Sequence, residues 1–495
     1  MLTAVAPGSS VTPLISVGEM LGGYRFESIP DGISVKKGWN GRVVAYVNHE
    51  TSTVPFPYAG TGTATEANSQ NDYKNAMVSQ LVLSSSGLSV LTGSKVIKSS
   101  DNYQRFCSNF LARAQHGFDR PILFTSEEAT DFVYRSGQAW PAPTTEPPAE
   151  QAGVMVAFDP KTGQHRTIYG MGRLNHENGV AIPGYGHPVL LTGDDTFTTD
   201  PAQSQLYLYQ AASRKQLWND NGALYGFVSD TAGYNDYYDF TQGDTTSITG
   251  HFTAMDPTAA KGTQSALESD SDTKGVFQFL RIEDIAYDRN DPNIVYFADS
   301  GRAASSAGAN PYASTNGRIF KMVLDPTDPT VVTSLSILIE GEGLALKDVT
   351  AIHQPDNLET TETGLLVTED PSSGNQFAAG DTSANATTAR VWRYDFTGMT
   401  KAVVARVDQS TDEATGDVDN AGAGNQGAWE ASGIIDVSRY YGDGAFLITV
   451  QAHSRWINKK DGPDNTGPSA VPDGIPDFTY KREDGQLLLI RIPGA

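Results

Sequence analysis

One cysteine in 495 residues leaves no partner for an intrachain disulfide. No apolar run reaches the eighteen or so residues that a membrane-spanning helix needs. Basic residues are scarce, with 35 Lys+Arg against 58 Asp+Glu and a net charge of −23. That balance excludes nucleic acid and anionic membrane as partners. Sustained helical periodicity is rare, and no Gly/Ser- or Pro-rich linker divides the chain. The sequence therefore reads as a single all-β domain over 1–495 with no obligate protein partner evident. Residues 1–17 are too polar and too broken by Pro and Gly for a signal peptide. The 49 glycines, the Asn/Thr/Ser-rich loops and the low lysine content suit an exported protein, periplasmic or extracellular, whose leader lies outside this numbering.

What is present is a repeat. In Phe279-Leu280-Arg281-Ile282-Glu283-Asp284-Ile285, polar groups enter a strand; a turn with Pro292 follows, and Ile294-Val295-Tyr296-Phe297 runs back to Asp299. The same sentence recurs from Asp31 to Glu50, from Cys107 to Glu128, from Asn178 to Asp195, from Asp356 to Asp370, and from Ser432 to His453. A plainer hairpin follows each copy, as in 154–169, 318–339 and 391–407; 79–97 and 205–218 supply two more, and 486–491 one last strand. Two hairpins per unit, at intervals of roughly seventy to a hundred residues, predict a six-bladed β-propeller. The stretch 11–27 is expected to complete the sixth blade and close the ring with the C-terminal strand. Four long polar insertions, approximately 229–273, 371–388, 409–426 and 454–484, read as lids or spacers. The last is rich enough in Asp and Asn to hold Ca2+, though Asx turns explain it equally.

In a propeller the innermost strands converge on one axis. The residues converging here are Glu50, Glu127, Glu128, Glu177, Asp195, Glu283, Asp284, Asp370 and Glu430. Singly, each reads as a cap or turn residue. Together, with only Arg173 and Arg281 nearby, they require multivalent cations, and hard oxygen donors favour Ca2+. Cys107 opens the second copy. As a thiolate it would shift the metal towards iron or zinc; otherwise it is a small buried hydrophobe.

In order and spacing these pieces resemble the PhoX-type alkaline phosphatases, calcium- and iron-dependent exported β-propeller enzymes. The matching residues are Pro30-Asp31-Gly32 with Asn48-His49-Glu50, Cys107-Ser108 with Glu127-Glu128, Gly172-Arg173 with His176-Glu177, Gly193-Asp194-Asp195, Arg281-x-Glu283, and Pro355-Asp356-Asn357 with Thr368 and Asp370. The resemblance implies several Ca2+ and Fe3+ in one oxo-bridged cluster. It implies Cys107 as the thiolate ligand, with Glu50, Glu127 or Glu128, Glu177, Glu283 and Asp370 sharing the metals. Asp195, Asp284 and Glu430 would be additional ligands or supports. Arg281 would hold the phosphoryl group, unless it only neutralises Glu283 or Asp284. The chain departs from the family after Cys107, where Asn109, Phe110 and the basic Arg113, His116 and Arg120 replace a Gly pair and a Trp-rich run. It departs again at Ile282, where the family usually has Pro.

The function this predicts is hydrolysis of a small phosphorylated substrate. A calcium-stabilised propeller without catalysis, acting as a binding or cell-surface module, and a lactonase-like hydrolase with one axial Ca2+ are the alternatives.

Overall fold

The computed structural model describes residues 1–50, 75–133, 150–198, 201–301, 316–343, 348–370, 388–408, 429–458 and 479–495. They form the six-bladed propeller, with long insertions and with N- and C-terminal strands closing the ring. Blade 1 runs outward through Pro30–Lys37, Val43–His49, Met77–Leu83 and Val90–Ile97. The innermost strands of blades 2 to 6 are Phe106–Ala112, His176–Ala181, Ile282–Tyr287, Pro355–Thr360 and Glu430–Asp436. Each inner strand touches the next, and the sixth touches the first, so they enclose one channel.

Alternation along the strands builds the core. Val43, Ala45 and Val47 pack towards Leu447 and Leu489 of blade 6, while Val44 and Tyr46 on the opposite face pack towards Leu111 and Val156 of blade 2. Every blade is buried on both faces this way, and the main apolar clusters sit one between each pair of neighbouring blades. Outer strands meet water on one side, and the pattern of Val90–Ile97 loosens accordingly.

Closure uses both termini. Ser10–Ser16 pairs antiparallel with Thr479–Arg491 as the outer strand of blade 6, and Leu2–Ala4 adds a fifth strand to blade 5 beside Thr400–Val407. Blade 3 differs from the hairpin expected at 205–218. Its third strand is Leu206–Gln210 and its fourth Ala223–Ser229, with a short helix Arg214–Trp218 between them. Ser213 starts that helix by accepting a hydrogen bond from the Gln216 amide.

The insertion 229–273 is a structural joint. Its strand Ile248–Ala254 pairs with the outer strand of blade 3 on one side and with Val331–Glu340, the outer strand of blade 4, on the other, giving one nine-stranded sheet. Tyr237 and Phe240 are buried between these two blades, and helix Gln264–Lys274 follows. The insertions at 371–388 and 409–426, and the Asp-rich part of 454–484, lie almost wholly outside the described residues.

Candidate metal centre

All six inner strands break register with their neighbours at the same place. The shifts fall between Pro30 and Ile33, His176 and Gly179, Ile282 and Ile285, Pro355 and Leu358, and Ala431 and Ile434. In blade 2 the matching shift lies opposite Phe106 to Asn109. Each bulge leaves two residues outside the ladder and re-aims their side chains. The first residues of these pairs are Asp31, Cys107, Glu177, Glu283, Asp356 and Ser432. The second are Gly32, Ser108, Asn178, Asp284, Asn357 and Gly433. A Cβ on Gly32 would lie 2.4 Å from the Asn109 amide nitrogen, and one on Gly433 would lie 2.6 Å from the Asp31 carbonyl, so the backbones close tightly just below the acids.

The acids at the ends of the second strands divide their work by the same alternation. Glu127 accepts from the amides of Gln104 at 2.8 Å and Val154 at 3.2 Å. Asp194 accepts from Asn175, Asp299 from Leu280 and Arg281, and Glu369 from His353 and Arg390. These four acids fasten the backbone entering the inner strands of blades 2 to 5. The next residue along, Glu128, Asp195, Ser300 or Asp370, sends its own amide to the carbonyl of Arg105, Asn175, Arg281 or Gln354, as Glu50 after His49 in blade 1 does to Ile29. Its side chain is thereby turned to the opposite face of the strand from the fastening acid's. Ile29, Arg105 and Gln354 hold positive φ of 38°, 34° and 45°, each two residues before a bulge acid or Cys107. A left-handed backbone at a non-glycine residue in three blades marks the rim as locally strained.

Three overlapping sets with metal-ligand spacing result: Asp31, Glu50 and Cys107; Cys107, Glu128 and Glu177; Glu177, Glu283 and Asp356. Within each set the ligand atoms lie within 4.8 Å of one another. Cys107 Sγ is 2.8 Å from Asp31 Oδ2 and 2.9 Å from Glu177 Oε1. One thiol proton cannot serve both contacts. Burial pushes the carboxyls of Asp31, Glu128, Glu177, Glu283, Asp356 and Glu430 well above the usual carboxylate range, and their mutual repulsion adds to it. Burial and the surrounding acids raise the Cys107 thiol in the same way. Glu177 Oε2 is buried with no hydrogen-bond partner. A buried donor set whose acids far outnumber the nearby bases Arg281 and Arg105, and which holds an orphaned carboxylate oxygen, fits bound cations.

Of the residues expected from the sequence, Glu50, Cys107, Glu128, Glu177 and Glu283 come together in these sets. Asp370 and Glu430 lie alongside, hydrogen-bonded to each other, and Glu430 also accepts from Ser432 Oγ at 2.8 Å. Glu127 is not among the grouped acids. Asp284 is not either; its carboxylate accepts from Asn178 and from the amides of Ile285 and Leu358, and burial raises it to about 7. Asp195 grips Arg281 through two 2.8 Å contacts. Arg281 also reaches Glu283 at 2.5 Å and lies 3.9 Å from Asp370, with Phe197 at 4.2 Å across its plane. Burial works against its charge, but Asp195 and Glu283 outweigh it and hold it protonated.

Asp31 and Asp356 were not singled out as ligands in the sequence, although each stands directly after a proline at the head of an inner strand. Gln451 joins them in support, donating to Asp31 at 2.9 Å and to Glu50 at 3.0 Å.

No protein-family model matches the chain, and no curated protein does. Among solved structures it is similar to Pseudomonas fluorescens PhoX in complex with vanadate, a transition-state analogue. The identity is 15% over 99% of this chain and 96% of that one, with a TM-score of 0.64. The chain thus has a PhoX-like fold. A glycosyl hydrolase from Bacteroides ovatus (7% identity, 76% of this chain and 87% of that one, TM-score 0.27) and a structure described as NanB plus Optactamide (7%, 92% and 68%, TM-score 0.31) are too distant to carry an argument.

Proposed function

We propose that the chain is a metal-dependent phosphoric ester hydrolase working at the mouth of the central channel. The observation that carries this reading is the overlap of three acid sets through Cys107 and Glu177, in a fold shared with a vanadate-binding protein. Asp31, Glu50, Cys107, Glu128, Glu177, Glu283 and Asp356 would hold the cations. Oxygen donors suit Ca2+, and the thiolate suits Fe3+. When bound, such cations supply Lewis acidity towards phosphoryl oxygens.

The protein's own groups supply position. Asp195 fixes the plane of Arg281 through two hydrogen bonds, which leaves the guanidinium oriented for a phosphoryl oxygen. Phe197 covers its face and thins the water around it. Glu283 would stand between the cations and Arg281, offering one carboxylate oxygen to a cation while the other keeps Arg281 beside the cluster. The same reading places the protein outside the cytoplasm.

A calcium-stabilised propeller without catalysis is the second reading, favoured by how completely Asp195 and Glu283 engage Arg281. Metal analysis of protein purified without added metal, beside hydrolysis of 4-nitrophenyl phosphate, separates the two. Iron with several calciums and turnover is expected. Calcium alone, with no turnover, refutes the phosphatase reading.

A further inference from the structure

Blade 6 supplies the ring differently from the other blades. Its inner strand breaks register after Ala431, which pairs with Val450, so the next residue along the second strand is Gln451. By the repeat, Gln451 holds the place of Glu50, Glu128, Asp195, Ser300 and Asp370, and Ser432 that of Asp31, Cys107, Glu177, Glu283 and Asp356. A neutral amide therefore stands where four of the other blades put an acid.

That amide is fully buried and aimed at one of the metal sets. Its NH2 donates to Asp31 Oδ2 at 2.9 Å and to Glu50 Oε2 at 3.0 Å, two members of the set that Cys107 completes. Asp31 Oδ1 accepts from the Gly433 amide at 3.2 Å, while Oδ2 also meets Cys107 Sγ at 2.8 Å. One oxygen of Asp31 is thus tied to the backbone of blade 6, and the other faces a thiol and an amide. The opposite end of the Gln451 side chain is idle, since Oε1 is buried with no hydrogen-bond partner among the described residues.

The two carboxylates set this orientation. A cation between them reverses the preference, because it attracts the carbonyl dipole and repels the amide hydrogens. Exchanging the ends needs only a turn about the last torsion of the side chain, which is broad and roughly two-fold. Oε1 breaks no hydrogen bond in leaving its present place. The oxygen then takes the position of the nitrogen, 2.9 Å and 3.0 Å from the two carboxylate oxygens. Equatorial neighbours in a pentagonal bipyramid around Ca2+, with bonds of about 2.4 Å, lie about 2.9 Å apart.

We propose that Gln451 is a cation ligand that exchanges ends. When Asp31, Glu50 and Cys107 hold a cation, its carbonyl oxygen joins them; otherwise its NH2 braces the two carboxylates. This rests on the ring holding cations, which the hydrolase and the calcium-stabilised propeller have in common, and it does not depend on turnover.

Calcium bound to the full chain, counted by plasma emission after dialysis against EGTA-buffered Ca2+ at stepped free concentrations, tests this. Gln451→Met keeps the length and removes the hard oxygen, so one release step should move to about tenfold higher free calcium. Gln451→Glu puts a charged oxygen in the same place, and that step should move to about tenfold lower free calcium. The infrared difference between calcium-loaded and EGTA-treated wild type should contain a side-chain amide carbonyl band that both variants lose. Should Gln451→Met fail to fold, the band in Gln451→Glu decides. An amide that only braces the acids competes with the cation, and Gln451→Met would then leave the step in place or move it to lower free calcium. That result, or a band that survives in Gln451→Glu, overturns the proposal. A wild type with no calcium to release overturns the cation reading beneath it as well.

Discussion

Stripping the acid ring of cations should invert the way stability depends on pH. Two carboxylates with oxygens 4.8 Å apart repel by about 3.5 kcal/mol at an effective dielectric near 20, and the three overlapping sets hold several such pairs. The metal-free fold therefore keeps protons on Asp31, Glu128, Glu177, Glu283, Asp356 and Glu430 at pH values where the unfolded chain, titrating near 4, has lost them. With more protons bound in the folded state, stability is fully present below about pH 4 and falls as pH rises. Each retained proton contributes a slope of about 1.4 kcal/mol per pH unit. Calcium-loaded protein has its counter-charge supplied and should show little of this fall. The assay is urea unfolding followed by tryptophan fluorescence, with and without EGTA, from about pH 5 to about pH 8. The urea midpoint of the EGTA-treated protein should drop steadily across that range while the calcium-loaded midpoint holds. A metal-free midpoint that stays level or rises with pH, or EGTA without effect at low and moderate salt, refutes the argument.

Four substitutions probe the ring more locally. Arg281→Lys keeps the charge but loses the fork, so metals and stability should persist while kcat/KM falls on the order of a hundredfold, about 2.7 kcal/mol; near-normal turnover removes Arg281 from the site. Cys107→Ala should keep the fold, lose activity and lose a visible-range charge-transfer band, whereas an active, colourless, iron-free parent protein returns Cys107 to simple packing. Glu127→Gln and Glu128→Gln should part company. The first weakens two backbone amide contacts and costs about 1–3 kcal/mol of stability with metal content kept. The second costs metal and, in EGTA above about pH 5, stabilises the fold by removing a carboxyl that burial forces to stay protonated; identical behaviour of the pair would contradict the division seen along the strand ends.

The blades were legible because each buries an alternating strand on two faces, and that pattern survives loss of sequence likeness. The terminal closure was legible too, since 486–491 lacked a partner and 11–16 offered one. The joint made by Ile248–Ala254 was hidden, because its alternation lies inside a polar insertion and its second partner comes some eighty residues later. At the centre, the sequence marked which acids fall at strand ends but not which face each takes. Glu127 and Glu128, or Asp194 and Asp195, are equal in composition and differ only by the pleat. Asp31 and Asp356 were passed over because an Asp after Pro reads first as a turn, and only the shared bulge reveals that both belong to one ring.

The nine-stranded sheet bears on how the molecule is assembled during synthesis. Once blade 3 and Ile248–Ala254 have emerged, the free edge of that strand is already in place before any of blade 4 exists. The last strand of blade 4, Val331–Glu340, arrives to find a template: Val331 and Val332 pair with His251 and Gly250, and Leu335 with Ile248. Blade 4 is thus moored at its rim as well as at its hub, and the angle between these two wedges is set twice. The N-terminal segment straps the rims of blades 5 and 6, with Leu2–Ala4 at the edge of one and Ser10–Ser16 at the edge of the other, but no other two blades share a continuous sheet among the described residues. The ring is accordingly built from one double wedge that shares a sheet, a second pair strapped at the rim by the N-terminal segment, and two blades, the first and second, held by face packing and by their inner strands, so widening of the channel is resisted most between blades 3 and 4.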